Sequence, residues 1–321
     1  MSKMVEPLLS VQNLSVEYAS KRGSVKAVND VSLSLEKGST LGIVGESGSG
    51  KSTLGFAILN LLPASGKAVA GAITFDQIDI LKQHEEAMRR IRGAQISMIF
   101  QDPLTSLNPL LKIRDHFAEM YKIHSSIPKD DAISKTAQLL DELGIARERL
   151  NDYPHQFSGG MRQRVMIGLA LALSPKLVIA DEPTTALDVI VEAQILDLLN
   201  RLKETYGLTL ILVTHNIGIV AEMADRLAVM YAGKIVEMGP TKDMFADPLH
   251  PYTKGLLESA PNILHPEQSM RPIQGSPPDL IRLPPGCKFH TRCSRAFDLC
   301  RNCEPLSMEC RRRVVACHLY S

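Results

Sequence analysis

One short stretch constrains this chain more than any other: Gly45-Glu46-Ser47-Gly48-Ser49-Gly50-Lys51-Ser52, followed by Thr53. It sits between the apolar run Leu41-Gly42-Ile43-Val44 and the helical pattern Leu54-Gly55-Phe56-Ala57-Ile58-Leu59. Strand, glycine loop and helix in that order form a device for holding a phosphate chain. The glycines let the backbone turn several N–H groups inward and come close to an anion. The helix that starts there adds its positive dipole end. In such a loop Lys51 reaches the β- and γ-phosphates of a nucleotide, and Ser52 holds a magnesium ion.

Length and charge narrow the remaining choices. A chain of 321 residues predicts about two domains. Its 36 Lys and Arg against 35 Asp and Glu leave a net charge of +1, which gives no electrostatic case for binding nucleic acid. No apolar run reaches the roughly 18 residues of a spanning helix, and the first residues show no signal-peptide core. These features predict a cytosolic chain that can still dock on a membrane protein.

The residues around Leu8 to Tyr18 and Val25 to Leu35 alternate as strands before the loop, an antiparallel flap in which Tyr18 is placed to offer its ring to a base. Further strands are predicted at 71–75 and 95–100, with a charged helix from Glu85 to Arg92 between them. Gln101-Asp102-Pro103 ends the second strand. Helical patterns from Asn108 to Asp152 predict an all-helical insertion. Ser158-Gly159-Gly160 opens an Ala/Leu-rich helix, a second anion-binding type of N-terminus. Leu177-Val178-Ile179-Ala180 is a buried strand delivering Asp181 and Glu182 to its C-terminal end, where α/β sheets bind ligands. Asp188 precedes a helix, and Leu208 to Thr214 is another apolar strand ending at His215, predicted to emerge at the same edge as Asp181 and Glu182. Residues 227–231 and 235–238 read as a hairpin around Gly233-Lys234.

In this order, the loop, Gln101, Ser158-Gly159-Gly160, Asp181-Glu182, Leu187-Asp188 and His215 resemble the nucleotide-binding subunit of ABC transporters, over roughly residues 8–240. The resemblance implies an α/β fold: a P-loop ABC ATPase core over residues 1–240 with an antiparallel β flap, a helical subdomain inserted at about 104–164, and a Cys-rich C-terminal extension over 241–321. It implies that Tyr18 stacks on adenine, and that Gly45, Glu46, Ser47, Gly48, Ser49, Gly50, Lys51, Ser52 and Thr53 form the Walker A loop. Gln101 contacts magnesium and the attacking water. Ser158, Gly159 and Gly160 form the signature that caps ATP on a partner's loop. Asp181 holds magnesium through water, Glu182 is the catalytic base, Asp188 belongs to the D-loop, and His215 contacts the γ-phosphate. Phe157 and Met161 stand where Leu and Gln are commoner in this family.

A narrower likeness is carried by Phe100-Gln101-Asp102-Pro103-Leu104-Thr105-Ser106-Leu107-Asn108-Pro109, by Tyr153-Pro154-His155-Gln156 before the signature, and by His250-Pro251-Tyr252-Thr253. These are similar to the ATPases of oligopeptide and dipeptide importers, a pattern shared with nickel importers. The implied partners are a second ATPase subunit, usually a different chain, two membrane-spanning permease subunits and an extracytoplasmic substrate-binding protein. The implied location is the cytoplasmic face of the membrane. A soluble ABC ATPase of DNA repair or translation would need a long coiled-coil insertion or two cassettes, and the phosphate loop occurs once.

After Pro240 prolines accumulate, among them Pro248, Pro251, Pro261, Pro266, Pro272, Pro277 and Pro278, and predict an extended wrap. All six cysteines follow, at 287, 293, 300, 303, 310 and 317, which in a cytosolic protein points to metal or redox chemistry rather than disulfides. Seven Lys and Arg against three acids from Cys287 onward would offset thiolate charge. The likeness to the importer ATPases implies a four-iron four-sulfur cluster on Cys287, Cys293, Cys300 and Cys317. Zinc on the same thiolates, with His290 or His318, and unliganded cysteines remain open.

Overall fold

The computed structural model describes residues 6–125, 127–185, 187–259 and 272–321. Residues 1–5, where no signal-peptide core is expected, and the wrap prolines Pro261 and Pro266 lie outside the described residues. The chain forms two compact units, Met1–Gln83 with Leu212–Ser321, and His84–Ile211.

The first unit begins with β1 (Leu9–Ser20) and β2 (Gly23–Leu35), paired antiparallel. The loose alternation of β1 has a physical cause. Its buried residues are Leu9 and Val11, then Leu14 and Val16. The register shifts between Val11 and Leu14, and Asn13 takes φ 48° there. An extra residue in one strand exchanges the buried face, and asparagine tolerates the left-handed conformation. Next come β3 (Thr40–Val44), α1 (Lys51–Ile58), β4 (Gly66–Phe75) and β5 (Ile78–Asp79). The flap order is β2-β1-β4-β5.

The second unit holds α2 (Glu85–Ile91), β6 (Ile96–Ile99), α3 (Pro103–Ser106), α4 (Ile113–His124), α5 (Lys129–Glu142), α6 (Gly159–Leu171), β7 (Leu177–Asp181) and α7 (Val189–Tyr206). Strands β6 and β7 pair in parallel, and every residue of both is buried. A strand covered on both faces reads as an unbroken apolar run, which is how these two stand out. Ile113, Phe117 and Tyr121 of α4 are buried on one face at helical spacing.

β8 (Thr209–Thr214) runs across the division, and the chain continues in the first unit with α8 (Ile217–Met223), β9 (Arg226–Tyr231) and β10 (Lys234–Pro240). β3 pairs parallel to β9, and β9 antiparallel to β10. A Cβ on Gly42 of β3 would meet Val220 Cγ1 at 2.4 Å, so α8 rests against β3 only because that position carries no side chain.

The tail corrects one expectation. The proline-rich stretch after Pro240 is not extended from its start: α9 (Thr241–Ala246) and α10 (Pro251–Glu258) come first. Pro251 opens α10, where its missing N–H costs nothing, and the His250 ring caps it by accepting from Tyr252 N–H at 3.0 Å. From 272 to 297 no helix or strand forms, and Leu280 O accepts from Lys26 N–H of β2. The tail then forms α11 (Asp298–Asn302), β11 (Met308–Cys310) and β12 (Arg313–Val315). β12 pairs antiparallel with β10, so the last residues extend the ladder to β11-β12-β10-β9-β3. Three-residue strands carry too little periodicity to be read from sequence. Among the described residues no helix is long and apolar enough to cross a membrane.

Candidate functional site

The phosphate loop is built from backbone conformations that its glycines permit. Gly45 has φ 157°, Gly48 φ 76° and Gly50 φ 103°. A Cβ on Gly50 would sit 2.1 Å from Ala27 O, and one on Gly45 2.2 Å from Met230 O. Gly50 caps α1, so the first N–H groups of that helix open onto the loop. Lys51 is buried and its Nζ donates to Gly45 O at 2.7 Å and Glu46 O at 3.0 Å, bending across its own loop. Ser49 is buried beside it, whereas Ser47 and Gly48 are exposed. Ser52 and Thr53 lie in the first turn of α1, and Thr53 Oγ1 accepts from the Tyr18 hydroxyl at 3.2 Å. Tyr18 is thereby tied to the start of the loop's helix. Its ring also lies over Gly66, where a Cβ would come within 2.5 Å.

In the second unit, Asp181 ends β7 and is buried, and Glu182 follows with φ 47°. A non-glycine residue in that region stores strain, which tertiary contacts must hold. Here the Glu182 carboxylate accepts from Gln101 Nε2 at 2.9 Å and Thr185 Oγ1 at 2.8 Å. The structure thus joins Gln101, two residues past the end of β6, to the acid that follows β7.

Ser158 caps α6 by accepting from Met161 N–H at 3.4 Å. Asp188 caps α7 by accepting from Val191 N–H at 3.0 Å. The two caps meet: a Cβ on Gly160 would lie 2.5 Å from Val191 Cγ1. Ser158 and Gly159 are exposed, as are Val189 and Ile190 in the first turn of α7. His215 belongs to the first unit, follows β8 and is exposed. The nucleotide residues therefore fall in two groups, Tyr18, residues 45–53 and His215 in one unit, and Gln101, Ser158 to Gly160, Asp181, Glu182 and Asp188 in the other.

In the tail, Cys287, Cys293, Cys300 and Cys317 line one cavity together with His250, Phe289, His290, Arg295 and His318. Cys303 and Cys310 do not line it, and none of the six forms a disulfide. Burial pushes the Cys287 thiol up to about 11 and raises Cys293 and Cys317 as well. Among the described residues no three His, Cys, Asp or Glu close on a point as the ligands of one metal ion.

Sequence reasoning missed the contacts that bind this tail to the loop. Arg292, between Cys287 and Cys293, pairs with both carboxylate oxygens of Glu46 at 2.6 and 2.9 Å, and the Tyr252 hydroxyl accepts from Glu46 N–H at 3.0 Å. No local signal foretells a pair 246 residues apart.

Comparison with known proteins agrees with this geometry. The family model described as ABC transporter matches residues 28–185, and that described as the C-terminal region of oligopeptide/dipeptide transporters matches 236–300. The oligopeptide transport ATP-binding protein OppD of Salmonella typhimurium is 47% identical, over 97% of this chain and 93% of its own. The dipeptide transport ATP-binding protein DppD of Bacillus subtilis is 49% identical, over 94% and 91%. Among solved structures, the dimeric post-hydrolysis state of the ATP-binding cassette MJ0796, bound to ADP and Pi, superposes with a TM-score of 0.65 at 28% identity, covering 73% of this chain and 98% of that one. A loop shaped for phosphate, an acid pair at a strand end and near full-length relatives together place this chain in the family of ABC transporter ATP-binding subunits, within its oligopeptide/dipeptide branch.

Proposed function

We propose that this chain hydrolyses ATP as one of two motor subunits that power import of di- or oligopeptides, working at the cytoplasmic face of the membrane beneath permease subunits fed by an extracytoplasmic binding protein. The observation that carries the reading is the strained Glu182, held by Gln101 and Thr185 at the end of a buried strand. A carboxylate so held is pre-positioned to take a proton from water, which is the general-base role. Residues 45–53 bind the triphosphate, with Lys51 leaving the loop carbonyls for the β- and γ-phosphates. Ser52, Gln101 and, through water, Asp181 would hold a magnesium ion, which neutralises charge developing on the phosphates. Tyr18 offers its ring to adenine, and His215 contacts the γ-phosphate. The exposed Ser158-Gly159 helix start, rimmed by exposed Val189 and Ile190, caps ATP on a partner ATPase, and the partner's equivalent caps ATP here.

The test is peptide uptake by the assembled transporter in vesicles. Glu182→Gln is expected to bind ATP normally, while phosphate release and uptake fall by at least about 100-fold. Uptake at the wild-type rate in that variant would overturn the assignment of the base. A complex that takes up nickel and no peptide would move the chain to the nickel branch.

The tail cavity is read as the seat of an iron–sulfur cluster, with zinc on the same thiolates as the alternative. Two buried thiols, of Cys300 and Cys317, and two half-buried ones, of Cys287 and Cys293, line one space. Cys287, Cys293, Cys300 and Cys317 would hold the cluster, which would tie the tail together. Anaerobically purified protein should contain about four irons and matching sulfide per chain. About one zinc and no sulfide would favour the other metal.

A further inference from the structure

Arg292 lies outside every nucleotide motif, yet its side chain is only 3% exposed and ends at the phosphate loop. Its Nη1 and Nη2 donate to Oε2 and Oε1 of Glu46, a two-pronged contact that cancels a carboxylate charge in a defined geometry. Its position is set from several sides. Nε donates to Gln274 O at 2.9 Å and Nη1 also reaches the Tyr231 hydroxyl at 3.3 Å. The guanidinium lies 5.8 Å from the Tyr231 ring and 6.0 Å from that of Phe289. Tyr231, Tyr252 and Phe289 pack with ring centres 4.6 to 5.2 Å apart, so the wall behind Arg292 is rigid and aromatic.

Glu46 poses a problem that this arrangement solves. The loop exists to hold a polyanion, and its second residue is an anion. An uncompensated carboxylate there repels a triphosphate. The tail removes that repulsion and also takes up the Glu46 N–H through Tyr252, while Glu46 O accepts from Lys51. Both faces of the Glu46 peptide unit are thus fixed.

We propose that Arg292 is a positioning residue for ATP binding: it acts through Glu46, neutralising and orienting that side chain so that the phosphate loop accepts the nucleotide. This rests on the reading of residues 45–53 as the ATP loop. The C-terminal tail is then part of the nucleotide-binding apparatus, with Arg292 held between Cys287 and Cys293 on the turn that lines the cysteine cavity.

The test is a titration of the full chain with a fluorescent ATP analogue and magnesium, for wild type, Arg292→Gln, Glu46→Gln and the double variant. Arg292→Gln is expected to weaken binding about tenfold. Removing the exposed charge by adding Glu46→Gln is expected to return the affinity to within about threefold of Glu46→Gln alone. A merely structural Arg292 would not be rescued by changing Glu46. Binding by Arg292→Gln within twofold of wild type, or a double variant as weak as Arg292→Gln, would overturn the proposal. Should Arg292→Gln fail to fold, Arg292→Lys keeps the charge without the fork; a loss of about threefold, recovered by Glu46→Gln, is expected, and no loss refutes it. If wild type itself fails to bind the analogue, it is the ATP-loop reading that fails.

Discussion

Gly48 and Gly50 belong to the same motif, but the structure assigns them different burdens. Gly48 has φ 76° with nothing within 4 Å of a added Cβ, so Gly48→Ala meets only backbone strain. Gly50 has φ 103° and a backbone oxygen 2.1 Å from the same point. Gly48→Ala is expected to cost about 1–2 kcal/mol and Gly50→Ala about 3 kcal/mol or more. Urea denaturation of the two variants checks the ranking. Asp188 is a second instance. Its resemblance-derived place in the D-loop says nothing of stability, but its side chain caps α7. Asp188→Ala should lose about 1 kcal/mol, and Asp188→Asn most of that less, by the same measurement. The glycine pattern was legible because it acts within a few residues, whereas of Asp188 the sequence showed only that it precedes a helix. The strain at Glu182 was not legible, since a left-handed conformation at a strand end is imposed by Gln101 and Thr185 rather than by glutamate itself.

The strands and helices carrying the nucleotide motifs were readable because each is long or fully buried: β3, β6, β7 and β8 are short apolar runs, and α7 is eighteen residues of amphipathic pattern. The tail was not. β12 exists because β10 offers it an edge, and that edge is secured by a buried pair, Arg313 with Glu237, whose side chains are 3% and 0% exposed. The Glu237 carboxylate also accepts from Leu249 N–H at 3.0 Å and His250 N–H at 2.9 Å, and Arg313 reaches the backbone oxygens of Asp243 and Asp247. Arg313→Met strips the arginine from a fully buried carboxylate that two backbone groups still need. It should destabilise the chain by about 3 kcal/mol, read as a lower denaturation midpoint. Arg313→Met with Glu237→Gln should recover part of that loss, because the buried charge is then gone.

The molecule divides its chemistry between two compact units, the phosphate loop in one and Asp181 with Glu182 in the other. Magnesium-ATP bound at the phosphate loop is expected to stabilise the unit that carries the loop, by about 2.7 kcal/mol at a hundredfold excess over Kd. Differential scanning calorimetry with Glu182→Gln, which keeps the nucleotide intact, measures this; no shift in Tm would show that the loop does not bind ATP in the isolated chain. The ATP-loop reading came from local sequence alone. Glycine spacing, the lysine and the strand–loop–helix order are set by neighbours in the chain, so composition of one short stretch sufficed to determine a phosphate site. The ordered motifs did the same for the ATPase family. The four cysteines that share a cavity are those the family likeness implied, though their spacing alone left the set open; the helical start of the proline-rich tail and the hold of Arg292 on Glu46 were beyond the sequence. Each depends on groups far apart in sequence and close in space, and the energy of such contacts, burial, charge pairing and steric fit, is defined only once the backbone has folded.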